Sequence, residues 1–246
     1  LGNTQKGLFV TTILQFRDDW HAQKTEARVL AISERGAIVL DQTTFYPTGG
    51  GQPGDVGTLV RADGTVVPII TTVWDNPEKT IVAHVPAEGA SLPSSGETVH
   101  LILDWPVRYA RMRMHTALHL LSVAVPYPVS GGAIGDGEGR LDFDLPEAIE
   151  KETVQGRLNA LLERDVAVTD RWITDAELDA NPGLVKTMSV QPPRGQGRVR
   201  LVEIAGIDLQ PCGGTHVRQT REIGRIEVTQ IEKKGKQNRR IRVRLA

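Results

Sequence analysis

Six histidines and one cysteine occur in this chain of 246 residues, and four of those seven fall into two short clusters. The first is His115-Thr116-Ala117-Leu118-His119 and the second is Cys212-Gly213-Gly214-Thr215-His216. His115 and His119 lie in an apolar, helix-like stretch, Met112 to Val125, where positions i and i+4 share a face and can reach one ion. Imidazole nitrogen together with thiolate sulfur suits zinc. Three ligands, His115, His119 and Cys212, leave one tetrahedral position open, as a catalytic zinc requires, whereas four close the shell of a structural one. The spacing leaves open whether His216 completes the shell or stands beside it. A metalloprotease helix would read H-E-x-x-H, but Thr116, Ala117 and Leu118 fill the intervening positions. A nucleobase deaminase needs H-x-E and P-C-x-x-C; Pro211-Cys212 is present, the glutamate and the second cysteine are not.

A second group of candidates lies far upstream, in Phe45-Tyr46-Pro47-Thr48-Gly49-Gly50-Gly51-Gln52-Pro53-Gly54-Asp55-Val56-Gly57. Three successive glycines suit neither helix nor strand. They read either as a turn between domains or as backbone, Gly50 and Gly51 above all, brought close to a ligand, with Gln52 offering a donor and an acceptor. Ser130-Gly131-Gly132-Ala133-Ile134-Gly135-Asp136-Gly137 reads as a loop that borders the site or merely connects. His21, His84 and His100 read as surface or ordinary strand residues. Trp20, Trp74, Trp105 and Trp172 read as core or boundary residues, with no interleaved basic residues to mark a base-stacking platform.

The elements that must position these groups divide the chain. Short apolar runs with turn signals fill the first hundred residues. Ala27–Ser33 and Ala37–Asp41 meet at Glu34-Arg35-Gly36, and 56–61 and 65–74 meet at Ala62-Asp63-Gly64. With 80–85 and 98–103 they predict a small β-barrel or sandwich, and a domain boundary falls near Asp104. Beyond it, Asp104-Trp105-Pro106 opens a helix that stops before Pro126. Asp144-Leu145-Pro146 opens a second helix to about Glu163, and Thr174-x-x-Glu177 is a capping box for a short third. Strands are expected at 199–204, 224–231 and 240–245. The class is therefore α+β.

Composition sets the bounds. Hydrophobic content of 39% and charge of 24% fit a globular protein. The lone cysteine excludes an internal disulfide and favours a reducing compartment. No apolar run is long enough to span a bilayer, and Leu1 to Phe16 lacks a secretory signal pattern. The net charge of −1 hides an asymmetry: residues 186–246 hold 14 basic and 5 acidic side chains, +9, and the remainder −10. Arg240, Arg242 and Arg244 alternate with Ile241, Val243 and Leu245, predicting a strand with one cationic face. The densest basic run, Lys233-Lys234-Gly235-Lys236-Gln237-Asn238-Arg239-Arg240, is either a solvated hairpin or a contact for an anion.

Together the residues from Asp104 to Leu121, the Tyr46–Gly57 motif, Leu141-Asp142-Phe143-Asp144, Cys212-Gly213-Gly214-Thr215-His216-Val217 and the basic run resemble the freestanding alanyl-tRNA editing proteins, AlaX, in order and over nearly the whole chain. The likeness is to the medium-length form. It implies a small N-terminal β-barrel domain over 1–104 and a two-layer α/β editing domain over 105–246. It further implies a cytoplasmic, zinc-dependent hydrolase without an obligate protein partner that removes serine or glycine from alanine-specific tRNA; nucleotide and ATP binding are attributes of the wider family. Zinc would be held by His115, His119 and Cys212 with His216 as fourth ligand or neighbour, and these four form the catalytic centre. Gln52, Thr116 and Ser130, with the Gly50 and Gly51 backbone, are the candidate substrate contacts. Lys233, Lys234, Lys236, Arg239 and Arg240, with the basic 186–200 segment, would meet tRNA phosphates. Leu118 stands where synthetase editing domains usually carry a polar residue, which bears on serine recognition and not on the metal.

Overall fold

The computed structural model describes residues 11–188 and 197–246. Most of the Leu1–Phe16 stretch and the middle of the basic 186–200 segment lie outside the described residues. The chain divides into two compact units, one of residues up to 48 with 54–105, the other of 49–53 with 106–246.

The first unit contains β1 (Ile13–Leu14), β2 (Lys24–Ile32), β3 (Ile38–Leu40), β4 (Gln42–Thr43), β5 (Gly57–Arg61), β6 (Val66–Trp74), β7 (Val82–Pro86) and β8 (Thr98–Leu103). Six of them close into a barrel in the order β2-β3-β7-β6-β5-β8, and β1 pairs in parallel with β4. Alternation places the core. In β8, Val99, Leu101 and Leu103 are buried while Thr98, His100 and Ile102 face outward. They meet Ala27 and Val29 of β2 and Leu59 of β5. In β6 the phase breaks: Val67 and Ile69 point inward, then a register shift before Thr71 turns Thr72 inward instead.

The second unit contains α1 (Trp105–Ala124) from its second residue onward, β9 (Val129–Ile134), β10 (Glu138–Asp144), α2 (Lys151–Leu162), β11 (Val168–Thr174), α3 (Asp175–Ala180), β12 (Arg198–Ile204), β13 (Asp208–Pro211), β14 (Ile226–Lys234) and β15 (Asn238–Leu245). One sheet has the order β14-β15-β10-β9 and another β11-β12-β13. Every residue of α1 from Met114 to Ser122 is buried, so α1 is an interior helix and not an amphipathic surface one. It ends before Pro126, which cannot continue a helix. The capping box at α3 forms as expected: Thr174 accepts from Glu177 N–H, and the Glu177 carboxylate accepts from Thr174 N–H.

Two expectations change. No helix opens at Asp144-Leu145-Pro146: β10 runs through Asp144, Leu145 is buried with its N–H on Gln237 O, and α2 begins only at Lys151. Pairing with β15 over all seven β10 residues outweighs the local helix signal. The glycine-rich Ser130–Ile134 stretch is not a loop but part of strand β9. Its glycines permit close packing: a Cβ on Gly132 would lie 2.9 Å from Leu141 Cδ2, and one on neighbouring Gly139 only 2.7 Å from Met114 Sδ of α1.

Candidate metal centre

His115, His119, Cys212 and His216 converge inside the second unit, with their candidate ligand atoms all within 4.8 Å of one another. α1 presents the first two on adjacent turns. The turn after β13 presents the others. Cys212 N–H bonds Arg200 O, so this turn leaves the sheet next to β12. Cys212 is partly exposed as a residue, while its thiol is buried within the cluster. Its Sγ lies 3.4 Å from His115 Nε2 and 3.3 Å from His216 Nε2. Ligands at ordinary zinc bond lengths are separated by roughly 3.3–3.6 Å across a tetrahedron, so the donor set and its spacing fit zinc.

Each imidazole is held by its other nitrogen. His115 Nδ1 donates to Gln52 Oε1 at 3.1 Å. His119 Nδ1 donates to Asp208 Oδ2 at 3.1 Å. His216 Nδ1 donates to Thr116 Oγ1 at 3.1 Å; that hydroxyl in turn donates to Met112 O. With Nδ1 so engaged, each ring turns its Nε2 towards the cluster. Such outer partners fix ring orientation and raise ligand basicity.

Charge in the cluster is organised. Burial opposes ionisation of Cys212, but His115 and His216 outweigh it and hold the thiol well below its ordinary value. Burial, with His115 beside it, pushes His216 well below the usual histidine range, so it is neutral. Burial also disfavours a charged His119, yet Asp208 and Cys212 prevail and hold it at about 9. Without metal the centre thus pairs a thiolate with an imidazolium, and a divalent ion bound there would take the place of the His119 proton. Asp208 ionises in spite of burial because His119, Lys186 and Gln210 all donate to it.

The glycine motif reaches this centre through Gln52. Gly49 and Gln52 exchange two backbone hydrogen bonds of 3.0 Å, closing a two-residue hairpin turn. The central residues Gly50 and Gly51 have φ of 58° and 83°, as a primed turn demands. Gly51 O accepts from Ile134 N–H of β9, which anchors the turn. Gln52, 1% exposed, accepts on Oε1 from His115 and Thr215 N–H and donates from Nε2 to Thr215 Oγ1. Across the pocket Gly214 leaves room for both: a Cβ there would lie 2.2 Å from His115 Cε1 and 2.8 Å from Gln52 Oε1.

The other sequence candidates are placed differently. Thr116 is fully buried and occupied by Met112, His216 and Val217. The Ser130 hydroxyl bonds Asp142 O at 3.2 Å and Asn238 Oδ1 at 3.4 Å, on the β9-β10-β15 sheet. The cationic strand face is largely neutralised. Arg240 makes two bonds to Asp142, Arg242 pairs with Glu232, Arg244 pairs with Glu227, and Lys234 shares Glu232. Arg239 is buried and donates to Pro146 O. Lys233 and Lys236 remain exposed at the hairpin. Arg200 is also buried, clamping Gly214 O at 2.8 Å and Cys212 O at 3.3 Å. Sequence reasoning missed Asp208 and Gln210, and it read Lys186, in the basic 186–200 segment, as a phosphate contact rather than a partner of Asp208. The available signal was Asp208-x-Gln210 just before Cys212, which in a strand puts two polar side chains on one face.

Comparison with known proteins now bears on this centre. The family described as threonyl and alanyl tRNA synthetase second additional domain matches residues 199–242, and class II (A) tRNA synthetases match 9–107. The AlaX-M alanyl-tRNA editing protein of Methanosarcina acetivorans is 33% identical over 94% of this chain and 98% of its own length. The chain belongs to the alanyl-tRNA editing proteins. The AlaX-M protein of Saccharolobus solfataricus is 32% identical over 91% of this chain and 94% of its own. The alanine–tRNA ligase of Pyrobaculum aerophilum is 33% identical over 89% of this chain but only 25% of the ligase. Within this alanyl-tRNA editing protein, the synthetase-type match at 199–242 includes both Cys212 and His216. No helix among the described residues is long and apolar enough to cross a membrane.

Proposed function

We propose that this protein hydrolyses the ester joining serine or glycine to alanine-specific tRNA. The observation that carries this reading is the buried His3Cys centre, each imidazole locked by its own partner, in a member of the editing family. A synthetase pocket shaped for alanine rejects glycine weakly and an added hydroxyl imperfectly, so a second site must remove the errors. Residues 105–246 form the two-layer catalytic domain in this reading, and 1–104 the N-terminal domain. His115, His119 and Cys212 would hold zinc with His216 as fourth ligand or close neighbour, the close-neighbour arrangement leaving the open position that water needs, and the protein works in the cytoplasm. Bound there, zinc supplies a Lewis acid and lowers the pKa of water. Gln52, Asp208 and Thr116 hold the three rings, so little reorganisation accompanies the reaction. Ester hydrolysis is downhill and calls for no ATP. Lys233 and Lys236 meet tRNA phosphates, with binding that weakens as salt rises.

A second reading is a zinc-stabilised tRNA-binding module without catalysis. The four-donor cluster favours it, because four protein ligands close a tetrahedral shell. Deacylation of Ser-tRNA and Ala-tRNA, both on alanine-specific tRNA, decides between them. The editing reading expects rapid loss of serine but not alanine, abolished in the His115→Ala, His119→Ala double variant. Zinc and tRNA binding with no hydrolysis above the buffer rate selects the second.

A further inference from the structure

The sheet face that carries the metal centre continues past it to an aromatic residue. Ile204 opposes Asp208, and Val202 opposes Gln210. Arg200 lies beside Cys212 on one side and opposes Trp172 on the other. Opposed residues, and residues two apart, share a face of a sheet. Trp172 is therefore on the face where Asp208 and Gln210 meet His119. It stands two strand spacings from Cys212, roughly 10 Å. That span is comparable with the reach from an ester on a ribose to the base of the same nucleoside.

Trp172 is half-buried, and the exposed Arg198 lies over its ring with the guanidinium carbon 4.3 Å from the centroid. Neighbouring arginines are committed to carboxylates: Arg200 to Asp170, and Arg171 to Glu203. Arg198 makes no ion pair among the described residues. A half-buried indole capped by an exposed planar cation is a surface on which bases stack.

We propose that Trp172 and Arg198 form the stacking site for the base of the terminal nucleoside that carries the ester, with the guanidinium sandwiched between indole and base. This rests on the deacylase reading above. The stack supplies affinity for any aminoacylated nucleoside, and the metal centre supplies the chemistry.

The zinc-loaded full chain is tested on Ser-tRNA, on 3′-O-seryl-adenosine and on serine ethyl ester, which has no base. Trp172→Ala and Arg198→Ala raise KM for the two nucleoside esters about tenfold, on the scale of one base–aromatic stack. The kcat for those esters stays within about twofold, as for loss of binding shared by ground and transition states. Trp172→Phe recovers most of the affinity. An equal loss on serine ethyl ester, or no change on any ester, overturns the proposal. Titration with adenosine 5′-monophosphate separates it from the deacylase reading. Quenching of tryptophan fluorescence that disappears in Trp172→Phe upholds the stack even if no ester is cleaved. No quenching in the native protein overturns it.

Discussion

At the scale of single residues, the centre depends on groups beyond its four donors. Gly214 is the clearest. Its role is steric, since a methyl group there would overlap the His115 ring and the Gln52 carbonyl. Gly214→Ala should therefore displace His115 and lower zinc affinity at least tenfold, measured by competition with a chromogenic chelator. Unchanged affinity would show that the ring shifts freely. Asp208 acts through His119. Asp208→Asn keeps the shape but removes the charge that fixes the Nδ1–H tautomer. Zinc affinity should fall about 10- to 100-fold, the range seen for outer-shell partners. A drop smaller than threefold would leave Asp208 as a simple counterion for Lys186.

At the scale of elements, the glycine turn and the interior helix bring distant sequence to one place. The turn works only if Gly50 and Gly51 keep positive φ, and Gly51 also packs on Gly132: an added Cβ would lie 3.1 Å from Gly132 O. Gly36, in a barrel hairpin, has φ of 77° but nothing within 4 Å of a Cβ. Gly36→Ala should therefore cost only the left-handed backbone strain, about 1 kcal/mol, with zinc affinity intact. Gly51→Ala adds a contact that must give, and it moves the residue next to Gln52. It should destabilise more than Gly36→Ala in denaturant titrations and also weaken zinc binding. Equal effects of the two substitutions would mean the turn does not position Gln52.

At the scale of the whole molecule, acid acts on the barrel through one residue remote from the metal ligands in sequence. His84 is fully buried; its Nδ1 donates to Ile38 O at 3.0 Å and its Nε2 accepts from Thr43 Oγ1 at 2.8 Å. Burial lowers its pKa from 6.5 to about 4, against a smaller opposing effect of the Ile38 carbonyl. Between those values the unfolded chain binds more protons than the folded one, so stability is complete above pH 6.5 and drains as pH falls towards 4. The loss amounts to at most about 3 kcal/mol. His84→Gln should lower stability at pH 7.5 yet flatten its decline between pH 6.5 and 4.5, followed by urea denaturation. A decline as steep as in the native protein would assign the acid sensitivity to other groups.

Local chemistry was legible in the residues themselves. The i, i+4 histidines, the capping box at Thr174, the alternation of β8 and the terminal strands each depend on neighbours a few positions away. The spacings of the His115/His119 and Cys212/His216 pairs pointed to metal chemistry for the same reason; that the four side chains meet is decided by the fold. Long-range pairing decided the rest. The segment after Asp144 lost its helix start because β15 continues the ladder of β10, and the glycines of β9 became a strand because α1 and the Gly51 turn pack closely there. Gln52 and Thr116 were candidate substrate contacts; in the fold their polar groups bond His115, Thr215 and His216. Arg240, Arg242 and Arg244 looked cationic until strand register set Asp142, Glu232 and Glu227 beside them. Residue types and spacing determined which donor groups the chain carries. Only tertiary structure determined which polar groups remain available for chemistry, because hydrogen-bonding capacity is consumed by partners distant in the chain.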